Sequence, residues 1–373
     1  MRTSIIIICL LTIAGCQNKK GDSLQSPIDL NDGITISRVE KHEIDQKLLN
    51  ELNKDIYDGV YGNIHSLLIM KDDELIVEQY YRDGERDEIH FLASVTKGFV
   101  AILTGIAMDK GYVDSLNQPM LNYFPKYKAT EADERKHKIT IEHLLTMTSG
   151  FEWDELTLAF TDPNNDGVKM DQADNLIDES LKLKMDTIPG TKYVYCGPND
   201  IILGEIIKAS SGQNIAVFAE ENLFKPLQIN EYRWSSSNGV YHTAGGLWIK
   251  SRGMLKVGQL LLNEGKIEST NVVSKNWIDK MFTPYIEIEK PFYMGYQWRI
   301  AKSEEGLLVY HIPGNGGQLI NLVPSLNLVF IVTADNRGTK NPLGELAERV
   351  LRIHPDYKIK TTPNKKKYSA CRN

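Results

Sequence analysis

Cysteine and histidine are too few and too scattered in this chain to build a metal centre. The four cysteines, Cys9, Cys16, Cys196 and Cys371, form no Cys-x-x-Cys pair, and the eight histidines show no ligand spacing. That argues against zinc held by such ligands, and thiols as distant in sequence as Cys196 and Cys371 are no disulfide framework. Surplus positive charge is missing too: 43 Lys and Arg stand against 49 Asp and Glu, a formal net charge of -6. With no basic field to neutralise phosphates, nucleic acid is not an expected partner. The apolar run at the start, Ile5 to Ile13, is too short to cross a bilayer as a helix. Neither internal repeats nor a Pro- or Ser-rich linker divides the chain.

What is present is the composition of an ordinary folded protein with a large core, 42% hydrophobic and 25% charged over 373 residues. Residues 1–15 read as an export signal: Arg2 supplies the positive end, Ile5 to Ile13 the apolar stretch and Ala14-Gly15 the small residues before Cys16. The stretch Leu11-Thr-Ile-Ala-Gly-Cys16 resembles the lipobox of bacterial lipoproteins, which implies an acylated Cys16 as first mature residue; a cleaved signal with a chance cysteine is the alternative. Residues 16–33 then form a polar tether, 34–355 a folded domain and 356–373 a basic tail containing Lys365 to Lys367. The expected location is an exported protein, lipid-anchored to a bacterial membrane on its periplasmic face, because Gln17 to Lys20 lack an acidic sorting cluster.

Ser66 to Met70 and Glu74 to Tyr81, joined by Lys71-Asp72-Asp73, read as a β-hairpin. Phe99, Leu103 and Ile106 recur at helical spacing until Lys110-Gly111, so Ser94 falls at or just before a helix start. Helical patches broken by Pro and Gly fill the middle, and strand-like runs return at Leu307 to His311, Leu319 to Val323 and Leu328 to Thr333 before a closing helix around Leu343 to Ile353. The expected fold is α/β: an antiparallel sheet flanked by helices and built from both chain ends, with a mostly helical insertion at about 114–240.

Ser94-Val-Thr-Lys97 is the only Ser-x-x-Lys in the chain. On a helix the first and fourth residues share a face, with β-carbons roughly 5–6 Å apart, so the lysine reaches the serine hydroxyl. Unpaired N–H groups at the helix start favour a developing oxyanion and are expected to lower the lysine pKa toward that of a usable base. Serine then becomes a nucleophile without a histidine. Asp162-Pro-Asn164-Asn-Asp166-Gly167 imitates the opening of a calcium loop, but its twelfth position is Ala173 rather than glutamate, and a polar loop is expected there.

Four blocks carry a wider resemblance: Phe91-Leu-Ala-Ser-Val-Thr-Lys97, Ile139-Thr-Ile-Glu-His-Leu-Leu-Thr-Met-Thr-Ser-Gly150, Gly245-Gly-Leu-Trp248 and Met294-Gly-Tyr-Gln-Trp298. In content and order they resemble the serine β-lactamase-related family of class C β-lactamase-like and penicillin-binding-protein-like hydrolases, above all its esterases and 6-aminohexanoate-dimer hydrolases. The resemblance implies a β-lactamase/transpeptidase-like fold, no cofactor, and a serine hydrolase acting on a small-molecule ester or amide, or on a peptide, through an acyl-enzyme on Ser94. A D-Ala peptidase or β-lactamase, and a non-catalytic binding protein of the same fold, are the alternatives.

The family's second motif, Tyr-x-Asn, falls on Tyr195-Cys-Gly197, which implies Tyr195, rather than Tyr193, as the proton shuttle beside Lys97. Which of Lys97 and Tyr195 is the primary base stays open. The motif's asparagine, which contacts a substrate amide in the family, is Gly197 here, with Asn199 the possible substitute. The third motif corresponds to His311-Ile-Pro-Gly314, implying His311 as a donor to substrate and the Gly314 N–H as an oxyanion contact, since Pro313 has none. Cys196 is expected to be a free thiol beside the site.

Overall fold

The computed structural model describes residues 24–302, 306–339 and 342–357. The signal segment 1–15, Cys16, Cys371 and the tail lysines Lys365 to Lys367 lie outside the described residues.

The first strand, β1 (Thr35–Ile36), precedes the expected hairpin of β2 (Ile64–Lys71) and β3 (Glu74–Tyr80). Asp72 and Asp73 at its turn both take positive φ, 53° and 64°, as a two-residue turn matched to strand twist requires. Six further strands come from the last third: β4 (Ile286–Glu289), β5 (Phe292–Met294), β6 (Arg299–Lys302), β7 (Leu308–Gly314), β8 (Gln318–Val323) and β9 (Leu328–Ala334). Among the described residues they form one nine-stranded sheet in the order β1-β3-β2-β9-β8-β7-β6-β5-β4. The chain's two ends meet at its middle, where β2 pairs antiparallel with β9, Leu68 opposite Ile331. Every pairing is antiparallel except one: β1 runs parallel to β3.

Both faces of this sheet are covered, which is why β9 reads as an unbroken apolar run and is buried throughout. Helices α1 (Gln46–Asp58) and, near the chain end, Leu343–Arg352 pack on one face through Leu49, Leu52, Ile56, Leu346 and Val350. On the other face lies α2 (Thr96–Asp109), buried from Thr96 to Ala107 and so apolar on all sides. Behind it stands α3 (Pro198–Ser211), while α4 (Ser251–Leu262) packs directly on the sheet with Gly258 facing Val329 and Leu322, all in the larger core. A small three-stranded sheet, with Leu247–Ile249 between His90–Phe91 and Tyr232–Trp234, closes this half.

A buried ion network ties α4 to the sheet. Arg252 donates to both carboxylate oxygens of Glu78 on β3, at 2.8 Å each, and to Asp32 at 3.0 Å. Burial would push the Glu78 carboxyl up, yet Arg252 and Arg86 hold it below its ordinary value. Removing Arg252 leaves that carboxylate buried with Arg86, 3.0 Å from Oε1, as its remaining cation, so Arg252→Met is expected to destabilise the fold by up to about 3–5 kcal/mol, read as a fall in the urea midpoint.

Candidate active site

Ser94 sits in a 3-10 turn, Ala93–Val95, that runs directly into α2. Ala93 takes a φ of 47°, a left-handed conformation that costs a non-glycine residue about 1–3 kcal/mol and persists only where the surroundings impose it. Here they do so from two sides. The Leu92 N–H donates to Leu247 O at 2.9 Å, while the Leu247 N–H donates to Thr96 Oγ1 at 3.2 Å. Opposite, β7 comes so near that a β-carbon on Gly314 would stand 2.5 Å from Leu92 O, a contact only glycine permits.

The turn presents Ser94 to Lys97, whose Nζ donates to Ser94 Oγ at 3.2 Å and to Ala244 O at 2.5 Å. The ammonium also lies 5.0 Å from the centre of the Tyr195 ring. Lys97 is buried, and burial alone would push its pKa down; the Tyr195 phenol and the Glu155 and Asp200 carboxyls outweigh it and hold the pKa above the ordinary lysine value. This reverses the expectation that the helix start would lower it: three acidic neighbours count for more than one end of a helix. The Tyr193 phenol is pushed up to about 12 chiefly by burial.

The resembling blocks are the parts that hold this group. The helix Ile141–Leu145 begins with a capping box between Thr140 and His143, and the chain after it grips the segment that carries Tyr195. Gly190 donates to Thr148 O at 2.8 Å, Val194 to Met147 O at 2.9 Å and the Cys196 N–H to Met147 Sδ at 3.4 Å. Gln297 docks the Met294–Trp298 block on the same helix, its N–H to Leu145 O at 3.0 Å and its Nε2 to Leu144 O at 3.1 Å.

Three participants escape the sequence reading. Ala244 contributes only a carbonyl, which no side-chain pattern announces, although it abuts the Gly245–Trp248 block. Glu155 and Asp200 are buried, and burial raises both carboxyls. The available signal was Gly197: with no side chain beside Tyr195, another group had to fill the space. Asn199 does not fill it, being fully buried with its Nδ2 directed at Met147 Sδ, 3.5 Å away. Cys196 is a free, buried thiol whose pKa burial pushes well up.

His311 does not join this group. Residues three apart on a strand face opposite sides, so with Gly314 turned toward Leu92 and Ile312 against Gly98 of α2, His311 points the other way. There its ring meets Phe292 edge-on, centroids 5.6 Å apart. The calcium-like segment is a structural loop: Asn165 caps the helix Asp166–Asp171 and its Nδ2 donates to the carbonyls of Glu155, 3.0 Å, and Leu158, 2.7 Å. Among the described residues no three His, Cys, Asp or Glu side chains gather as metal ligands.

With this geometry in place, comparison with known proteins identifies the class. Residues 65–354 match the Beta-lactamase family, and the chain belongs to it. Esterase EstB of Burkholderia gladioli is 28% identical over 156 residues, 40% of this chain and 39% of that one. The 6-aminohexanoate-dimer hydrolase of Paenarthrobacter ureafaciens is 23% identical over 234 residues, 58% of this chain and 56% of that one. A penicillin-binding protein from Bacillus halodurans shares the fold with a TM-score of 0.65 and 18% identity, over 81% of this chain and 99% of that one.

Burial, with Arg299 nearby, pushes the His311 pKa down from 6.5 to about 3. Between those values the unfolded chain holds a proton that the folded chain refuses, so stability is lost as pH falls below the ordinary histidine range. His311→Asn should therefore weaken the dependence of urea stability on pH between near-neutral and about pH 4, His90 supplying part of what remains. The same variant should leave ester turnover intact.

Proposed function

We propose that this chain hydrolyses a small ester or amide through an acyl-enzyme on Ser94. The observation that carries the reading is the Ser94 hydroxyl at 3.2 Å from a buried lysine ammonium, in a turn clamped on both sides, with a tyrosine beside the lysine. Ser94 Oγ attacks the carbonyl carbon and gives up its proton. Lys97, held above its ordinary pKa, keeps its own proton, so Tyr195 acts as a relay, its phenol oxygen taking the serine proton as its own O–H proton passes to the leaving group. A water then attacks the acyl-enzyme, its proton returning along the same path to Ser94. We assign the oxyanion contacts to the N–H of Ser94 and to the turn that opens at Gly314, which lies against the nucleophile's turn.

The esterase and the amide-cleaving dimer hydrolase among the relatives support ester and amide bonds as the substrate class. The Gly197 departure and the position of His311 weigh against β-lactam or D-Ala peptide recognition, because neither presents a donor to such a substrate. A non-catalytic binding role would leave the strain at Ala93 and the buried ammonium without a purpose.

Ser94→Ala should abolish covalent labelling by a fluorophosphonate and nearly all hydrolysis of a short-chain nitrophenyl ester. Lys97→Ala and Tyr195→Phe should each lower kcat by several orders of magnitude, with little further loss when combined, because both act on one proton. A chromogenic cephalosporin should be turned over far more slowly than the ester; faster cephalosporin turnover contradicts the substrate class.

We infer further that the chain is exported and tethered to the periplasmic face of a membrane through acylated Cys16, a reading supported by the sequence of residues 1–20. Mass spectrometry of the membrane fraction should find a mature N-terminus at lipid-modified Cys16, and an unmodified N-terminus elsewhere contradicts the anchor.

A further inference from the structure

The space beside Tyr195 is filled by a residue 40 positions earlier in the chain. A β-carbon on Gly197 would stand 3.1 Å from Glu155 Oε2 and 3.3 Å from the Ala244 side chain. The Glu155 carboxyl is thus placed within reach of whatever side chain position 197 could carry. Its orientation is fixed from several directions. Trp153 Nε1 donates to Oε2 at 2.9 Å, the Gly197 N–H donates to the same oxygen at 3.3 Å, and Asn165 Nδ2 holds the Glu155 carbonyl at 3.0 Å. A buried carboxyl is costly unless partnered, and none of these three donors carries a charge. The cation whose field it shares is Lys97, whose Nζ is bound to Ala244 O on the other side of the same small space.

We propose that Glu155 is a positioning residue of the catalytic group, its carboxyl occupying the space that Gly197 leaves open and, from across the Ala244 turn rather than by a direct ion pair, favouring the Lys97 ammonium in its place between Ser94 and Tyr195. The inference rests on the hydrolase reading above and adds to it a fourth side chain, together with a reason why position 197 is glycine. A side chain there would push the carboxyl away from the lysine. The titratable groups that share the surroundings are Lys97 on α2, Asp171 at the end of the helix Asp166–Asp171, Tyr193, Tyr195 and Cys196 on the segment before α3, and Asp200 within it. Lys97 is the only cation among them, and each carboxylate strengthens its hold on its proton.

The test is a two-by-two set, Glu155→Ala, Gly197→Asn and the double variant, assayed on the nitrophenyl ester with folding checked by circular dichroism and urea midpoint. Glu155→Ala should lower kcat by about 100-fold with little change in KM, the scale expected when a reacting group is misplaced by about 1 Å. Gly197→Asn alone should also be slow, since its side chain displaces the carboxyl. The double variant should recover activity well above the product of the two losses, an amide oxygen at position 197 accepting from Lys97 in place of the carboxyl. Should Glu155→Ala fail to fold, Glu155→Gln keeps the shape and removes the charge. The alkaline limb of its kcat profile should move to lower pH, because Lys97 then releases its proton more easily.

A folded Glu155→Ala enzyme with parental kcat, a Glu155→Gln alkaline limb that does not move, or a cycle in which the two substitutions act independently overturns the proposal. Failure of the underlying reading would look different: the unsubstituted protein itself would show no Ser94-dependent labelling by the fluorophosphonate.

Discussion

One buried ammonium organises the functional half of this molecule. Taking a lysine out of water costs several kcal/mol unless its charge and its protons are met, and Lys97 meets them with Ser94 Oγ, Ala244 O and the Tyr195 phenol. These partners come from the turn before α2, the turn that leads into the strand Leu247–Ile249 and the segment before α3. All three must be in register for the charge to be tolerated, so the requirement that makes the lysine bearable also assembles the nucleophile with its proton acceptor. The chain spends stability here in a second way, at the left-handed Ala93, and the apolar α2 with the double-faced sheet behind it provides the rigid frame that holds both strains.

The frame itself was largely legible. Alternating and unbroken apolar runs announced the hairpin and the strands at 308–334, and their placement at both ends of the chain implied a sheet closed across the middle, which the pairing of β2 with β9 realises. The strands over 286–302 were missed because they are short and half exposed, with no strong apolar signal. The parallel β1, two residues long, is set by where the chain enters rather than by any local pattern.

The site was legible where its parts are local and illegible where they are not. Ser94 and Lys97 lie one helical turn apart, so their meeting follows from spacing. The direction of the lysine's pKa does not, because the carboxyls that decide it belong to residues 155 and 200. His311 is a different kind of lesson: the strand around it was recognised, and the period of two along a strand already sets His311 and Gly314 on opposite faces. A motif read by letters alone passed over that constraint.

The account depends on Ser94 being the residue that becomes acylated. Peptide mapping by tandem mass spectrometry, after the folded protein is trapped with a slowly hydrolysed ester, tests this most directly. The expected result is a single acyl adduct on the peptide containing Ser94, lost on denaturation before treatment. An adduct on another residue, or turnover of the ester with no adduct on Ser94, would contradict it.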